Sequence, residues 1–142
     1  MIGQVFLTVL SGVVVFVVGQ IFVKFVIEPI NEFYKLTGEI EHSLIYYANV
    51  YSNTKLAPQE TLREAHQLFR RLSCDLFAKM YAIPLFHVWA KLRFLPPREF
   101  VRQAGGNLIG LSKGVLDTSD RSYEANEKRR RAIEHQLRIE TE

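Results

Sequence analysis

Between Val5 and Val23 the chain runs for nineteen residues without a charged side chain, and most of them are apolar. At ~1.5 Å rise per residue a helix of that length covers about 30 Å, the thickness of a bilayer's hydrocarbon core. The rest of the chain cannot wrap such a helix on every side, because 142 residues make too small a core to enclose it. The segment therefore reads as a membrane span. It lacks the marks of a cleaved secretory signal: Met1 to Gln4 contain no Lys or Arg, and the stretch runs out through FVKFVIEPI instead of a small-residue cleavage site. All eighteen Lys and Arg lie from Lys24 onward, so the positive-inside rule puts the N-terminus outside and the remainder in the cytoplasm. The expected division is a transmembrane helix over residues 1–27 and a cytoplasmic, all-helical domain over 28–142. A reducing compartment agrees with a lone Cys74, which has no disulfide partner and reads as a small buried thiol.

The cytoplasmic part shows helical periodicity and no period-two strand pattern. Ile30, Phe33, Thr37, Ile40, Leu44, Tyr47 and Tyr51 recur at three and four, as one face of a helix that continues past Pro29. SNTKLAP is turn chemistry, with Pro58 at a helix start. The next stripe is Leu62, Ala65, Phe69, Leu72, Leu76, Met80 and Ile83, stopped by Pro84. After the aromatic-rich LFHVWAKLRFL, a helix begins at Pro96-Pro97 with Val101, Ala104, Leu108, Leu111 and Val115 inward; Gly105-Gly106 within it is a close packing contact or a kink. DTSDRS is a second break, followed by a basic helix from about Tyr123 to Ile139. The expected fold is all-α, one membrane helix feeding a small helical bundle.

On a wheel at about 100° per residue, Gln4, Thr8, Ser11, Gly12, Val15, Gly19 and Phe22 share one side of the membrane segment, opposite Phe6, Leu10, Val14, Val17 and Ile21. Lipid alone does not require small and polar residues to be sorted to one side. Helix packing in membranes does, to bring backbones close and share hydrogen bonds. A single span has only copies of itself to pack against, so the stripe predicts a homo-oligomer. In a ring of four or more, Gln4, Thr8 and Ser11 would wet a lumen, with Val15 and Phe22 as apolar constrictions that close by dewetting. A dimeric or trimeric anchor without a lumen is the alternative. Gln20 lies outside the arc, and Lys24 snorkels to the inner interface.

Nothing in the cytoplasmic part has the spacing of a catalytic, metal or cofactor site. His42, His66, His87 and His135 stand apart from acids at ligand spacing, and no glycine loop is built to cradle phosphate. Arg130 and His135 form an R-x4-H within EKRRRAIEHQL, the spacing of helical HEPN-type ribonucleases. It also arises easily from the basic run beside it. Charge is more informative. From Arg63 to Lys113 the basic residues Arg63, Arg70, Arg71, Lys79, Lys91, Arg93, Arg98, Arg102 and Lys113 face only Glu64, Asp75 and Glu99, with Tyr81, Phe86, Trp89 and Phe94 interleaved. Such a patch suits phosphate contacts and base stacking by a nucleic acid strand, anionic lipid headgroups, or simply a positive cytoplasmic surface.

Three blocks carry a family resemblance: IEPINEFYKLTGEIEHSLIYYANVYSN, LFRRLSCDLFAKMYAIP and AGGNLIGLSKGV. Together they resemble small bacterial proteins with one N-terminal membrane helix, and within these the membrane subunit of Hailong-type anti-phage systems. The resemblance implies an oligomeric ion channel of the bacterial inner membrane. In that family, short single-stranded DNA made by a partner nucleotidyltransferase keeps the channel silent, and loss of the DNA guard on infection depolarises the host membrane. The membrane accessory proteins of some RNA-targeting CRISPR systems have a similar plan, which keeps a tethered scaffold or R-x4-H ribonuclease as the alternative.

Overall fold

The computed structural model describes residues 1–139, so the last three positions of the expected cytoplasmic domain, Glu140, Thr141 and Glu142, lie outside the described residues. The chain is all-helical among the described residues. Helix α1 spans Ile2–Phe22, a π-helical turn occupies Val23–Ile27, and α2 follows over Glu28–Tyr46. These three run on as one helix of 45 residues. The π turn has a local cause. Pro29 has no N–H and its ring would press on the carbonyl of residue i−4, Phe25, if the helix kept its ordinary pitch. One extra residue in the turn relieves that crowding, and the Glu28 N–H bonds back to the Val23 carbonyl instead.

Beyond Tyr46 the expected single helix bends. Tyr47 leaves helical geometry at φ −94°, ψ 14°, and a short α3 takes up Ala48–Ser52. The bend folds the Tyr51 ring back over α2, where its hydroxyl donates to the Leu44 carbonyl at 2.8 Å. Helix α4 covers Gln59–Ala82 behind an extended Pro58, with Glu60 in the first turn where the helix dipole favours an acid. Its stripe from Leu62 to Met80 is buried, and Ile83 closes the core as the chain turns extended before Pro84. A short α5, Phe86–Lys91, lies in the aromatic-rich connection, then α6 spans Arg98–Leu116 and α7 spans Ser122–Leu137.

Helix α4 is central, with α2 against one side and α6 against the other, and α7 packs on α6. The core runs through all of them, from Phe33, Ile40 and Leu44 through Phe69 and Leu76 to Leu108, Leu111 and Ile133. Helix α6 continues unbroken across Gly105-Gly106, so there is no break there, and the close contact holds at Gly105 while Gly106 faces open space. A Cβ on Gly105 would sit 2.5 Å from the Phe77 ring, and the Ser73 hydroxyl donates to the Gly105 carbonyl at 2.8 Å. Cys74 corrects an expectation: the thiol is exposed. It follows Ser73, which points into the α4/α6 seam, and one further step of about 100° carries Cys74 out to the surface.

Candidate functional site

Helix α1 is long and apolar enough to cross a membrane, and none of its residues is buried against the rest of the chain. The described fold brings Gln4, Thr8, Ser11, Gly12, Val15, Gly19 and Phe22 to one side of it, all exposed. The Thr8 hydroxyl donates to the Gln4 carbonyl at 2.9 Å and the Ser11 hydroxyl to the Thr8 carbonyl at 2.8 Å. Each donor is thus satisfied within the helix, which lets these residues sit in an apolar medium while their oxygens stay open to a neighbour. No atom stands within 4 Å of a Cβ built on Gly12 or Gly19, so the shallow groove that they leave is unfilled.

The basic residues do not form one surface. Arg71 and Lys79 turn toward α2: Arg71 pairs with Asp75 on α4 at 3.6 Å, and Lys79 with Glu32 on α2 at 3.2 Å. They line a cleft with Glu32, Lys35 and Glu39, so positive and negative charge alternate there. Hydrogen bonds from Lys35, then Lys79, hold the Glu32 carboxyl below its ordinary pKa. Lys91 and Arg93 lie on and just beyond α5.

A third group shares the outer face of the α4/α6 pair. The bonds Ser73 to Gly105 and His66 to Ser112 show the two helices antiparallel and fix which sides meet. From those anchors, helical rotation places Arg63 and Arg70 of α4 beside Arg98, Arg102 and Lys113 of α6. Arg98 stacks over the Tyr81 ring at 5.1 Å. None of the five forms an ion pair among the described residues, whereas Arg71 and Lys79 do. This face is the larger concentration of uncompensated positive charge, and Tyr81 gives it an aromatic surface at one end.

Arg130 is committed elsewhere. It is bound by Glu127 and Glu134, and Glu127 also holds Arg131. The hydrogen bond from Arg130 lowers the Glu127 pKa and in return raises that of the guanidinium. His135, five residues on, is exposed beside Phe100, with the rings 6.0 Å apart. Within one chain, therefore, Arg130 and His135 do not meet. No three His, Cys, Asp or Glu side chains among the described residues gather at metal-binding distance.

The α6/α7 seam was not anticipated. Gly114 faces Asn126, whose Oδ1 would overlap an added Cβ, and Gly110 lies under Arg129. Buried Asn126 donates to the Tyr51 carbonyl at 3.0 Å, which ties α7 to α3. Its sequence signal is the spacing of Gly110 and Gly114, two small residues four places apart on neighbouring turns of α6. No protein-family model, curated protein or solved structure matches this chain.

Proposed function

We propose that the protein is the subunit of a homo-oligomeric ion channel in the bacterial inner membrane, with its N-terminus outside and its helical domain in the cytoplasm. The observation that carries this reading is the 45-residue helix from Ile2 to Tyr46. Its first half touches nothing in the chain, and its second half contributes Phe33, Ile40 and Leu44 to the core. A ligand that tilts or spreads the cytoplasmic domains moves the membrane helices with them, because no flexible linker lies between. The π turn at Val23–Ile27 is the compliant point, where hydrogen bonding already departs from the α pattern.

The oligomer packs through the stripe of Gln4, Thr8, Ser11, Gly12, Val15, Gly19 and Phe22, with Val15 and Phe22 as the closing rings. The ligand face is the α4/α6 surface, with Arg63, Arg70, Arg98, Arg102 and Lys113 for phosphates and Tyr81 for a stacked base. In the guarded-channel reading, the ligand is a short single-stranded DNA supplied by a partner nucleotidyltransferase. Bound DNA holds the pore shut, and its loss during phage infection opens it. Symmetry repeats the basic face around the ring, which raises avidity for a polyanion beyond that of one domain.

Cysteine cross-linking in native membranes tests the assembly, in a Cys74→Ser background. Ser11→Cys and Gly12→Cys should give cross-linked dimers and higher species, while Leu10→Cys on the opposite arc should not. Cross-linking equal at all three positions would remove the stripe as the interface. Val15→Ser or Phe22→Ser should make expression toxic by letting the pore leak, and normal growth would exclude those residues as the gate.

A further inference from the structure

The connection between α4 and α6 departs from what a soluble surface loop needs. Leu85, Leu92 and Phe94 are 65%, 57% and 58% exposed, and Val88 on α5 is exposed with them. Two non-glycine residues in this short segment, Leu85 and Arg93, sit at positive φ, 52° and 65°. That region is unfavourable for a side chain bearing a Cβ and persists only where the surroundings impose it. Here the restraints are visible. Phe86 is buried against Phe33 with ring centroids 6.1 Å apart, the Trp89 indole N–H donates to the Pro84 carbonyl at 3.1 Å, and the Tyr34 hydroxyl donates to the Phe94 carbonyl. Phe86 and Leu95 are locked inward while Leu85, Leu92 and Phe94 stand out.

The same contacts fix where this apolar edge lies. Phe33 and Tyr34 are six and seven residues past Ile27, the last residue of the expected transmembrane helix, and so about 10 Å along the helix axis from its end. The polar layer of a bilayer extends about 5–8 Å beyond its hydrocarbon on each side, so outward side chains at this level need to reach only a few ångströms to enter it. The charge is of the matching kind. Lys91, Arg93 and Arg98 accompany the apolar residues, and the chain carries no acid between Asp75 and Glu99. Aliphatic and aromatic groups alternating with Lys and Arg are what an interfacial segment presents to anionic headgroups.

We propose that the α4–α6 connection, through Leu85, Val88, Leu92 and Phe94 with Lys91 and Arg93, is a second membrane contact that seats the cytoplasmic domain on the anionic inner leaflet. It rests on the membrane-spanning reading of α1. Two attachments, one on each side of the π turn, fix the tilt of the domain against the bilayer, so lipid charge and any ligand on the neighbouring α4/α6 face act on the same posture.

The test uses the full chain in vesicles of phosphatidylcholine and phosphatidylglycerol, with Cys74→Ser and one fluorophore-labelled cysteine at Leu92, Val14 or Gln59. The Leu92→Cys label should be quenched several-fold more by brominated lipid than the distal Gln59→Cys label, and shielded from aqueous iodide. That difference should shrink in pure phosphatidylcholine and with Lys91→Glu/Arg93→Glu. Equal quenching at positions 92 and 59, with the Val14→Cys label strongly quenched by lipid, would leave the span intact and overturn the surface contact. A position-92 label shielded from both quenchers would also overturn it, since a second copy of the chain would then be its cover. A Val14→Cys label that brominated lipid does not reach would refute the span, and the proposal with it.

Discussion

Helices α1 and α4 are of similar length, 21 and 24 residues, yet they solve opposite problems. Helix α4 is amphipathic. It buries seven residues from Leu62 to Met80 and turns Arg63 and Arg70 outward, so its stability comes from packing. Helix α1 buries none and is uncharged on every side, with even its small and polar stripe exposed, so nothing in the chain repays its exposure to water. The contrast teaches that hydrophobicity alone does not define a core. The α4 stripe is matched by facing stripes on α2 and α6, whereas α1 has no counterpart among the described residues; in the channel reading proposed above, lipid and other copies supply its match.

The largest expected effect falls in the core. Leu76→Ala, at a fully buried site, should destabilise the cytoplasmic domain by about 2–5 kcal/mol in thermal or denaturant unfolding. Val17→Ala in α1 should leave that transition within about 0.5 kcal/mol of the parent. Equal losses would mean that α1 packs on the domain after all. Next, Val14→Arg places a charge mid-span and should disfavour membrane insertion by about 2.5–3.5 kcal/mol, read as a shift from the membrane to the soluble or aggregated fraction. The same fractionation as the parent would break the contrast at its other end.

Gly114→Ala sharpens the account of the bundle, with an expected loss of about 1–3 kcal/mol. The added Cβ meets Asn126, which cannot swing away without losing its bond to the Tyr51 carbonyl. Gly106→Ala, on the exposed side of the same helix, meets no atom and should be neutral or slightly stabilising. The smallest effect is at Tyr51, whose pKa burial pushes up from 10.0 to about 12. The folded state therefore favours the neutral phenol, and this contribution is complete below pH 10 and lost as the pH rises through 12. Tyr51→Phe removes the 2.8 Å bond to Leu44 and should cost about 1 kcal/mol at neutral pH. It should also flatten the alkaline loss of stability, and a variant with the parent's alkaline profile would assign that loss to other groups.

Periodicity made most of the bundle legible. The stripes Leu62 to Met80 and Val101 to Val115 are buried as their spacing requires, because each helix has one core-facing side and a strict repeat. Short α5 was not legible. Its bounds depend on two residues forced to positive φ by contacts with α2, and no glycine marks them. Charge counting along the chain joined basic residues that tertiary structure separates. Arg70 and Arg71 are adjacent in sequence but about 100° apart on α4, which sends one to the α6 side and the other to the α2 cleft. The exposed Cys74 failed in the same way, one step from a buried Ser73.

The most direct test of the central claim is ionic current across a planar bilayer containing the purified full-length protein, before and after adding short single-stranded DNA on the cytoplasmic side. The account predicts discrete channel currents that the DNA suppresses, with weaker suppression in Arg63→Ala/Arg70→Ala. A bilayer silent under both conditions, with the protein shown to be inserted, would contradict it and leave α1 as an anchor without a pore.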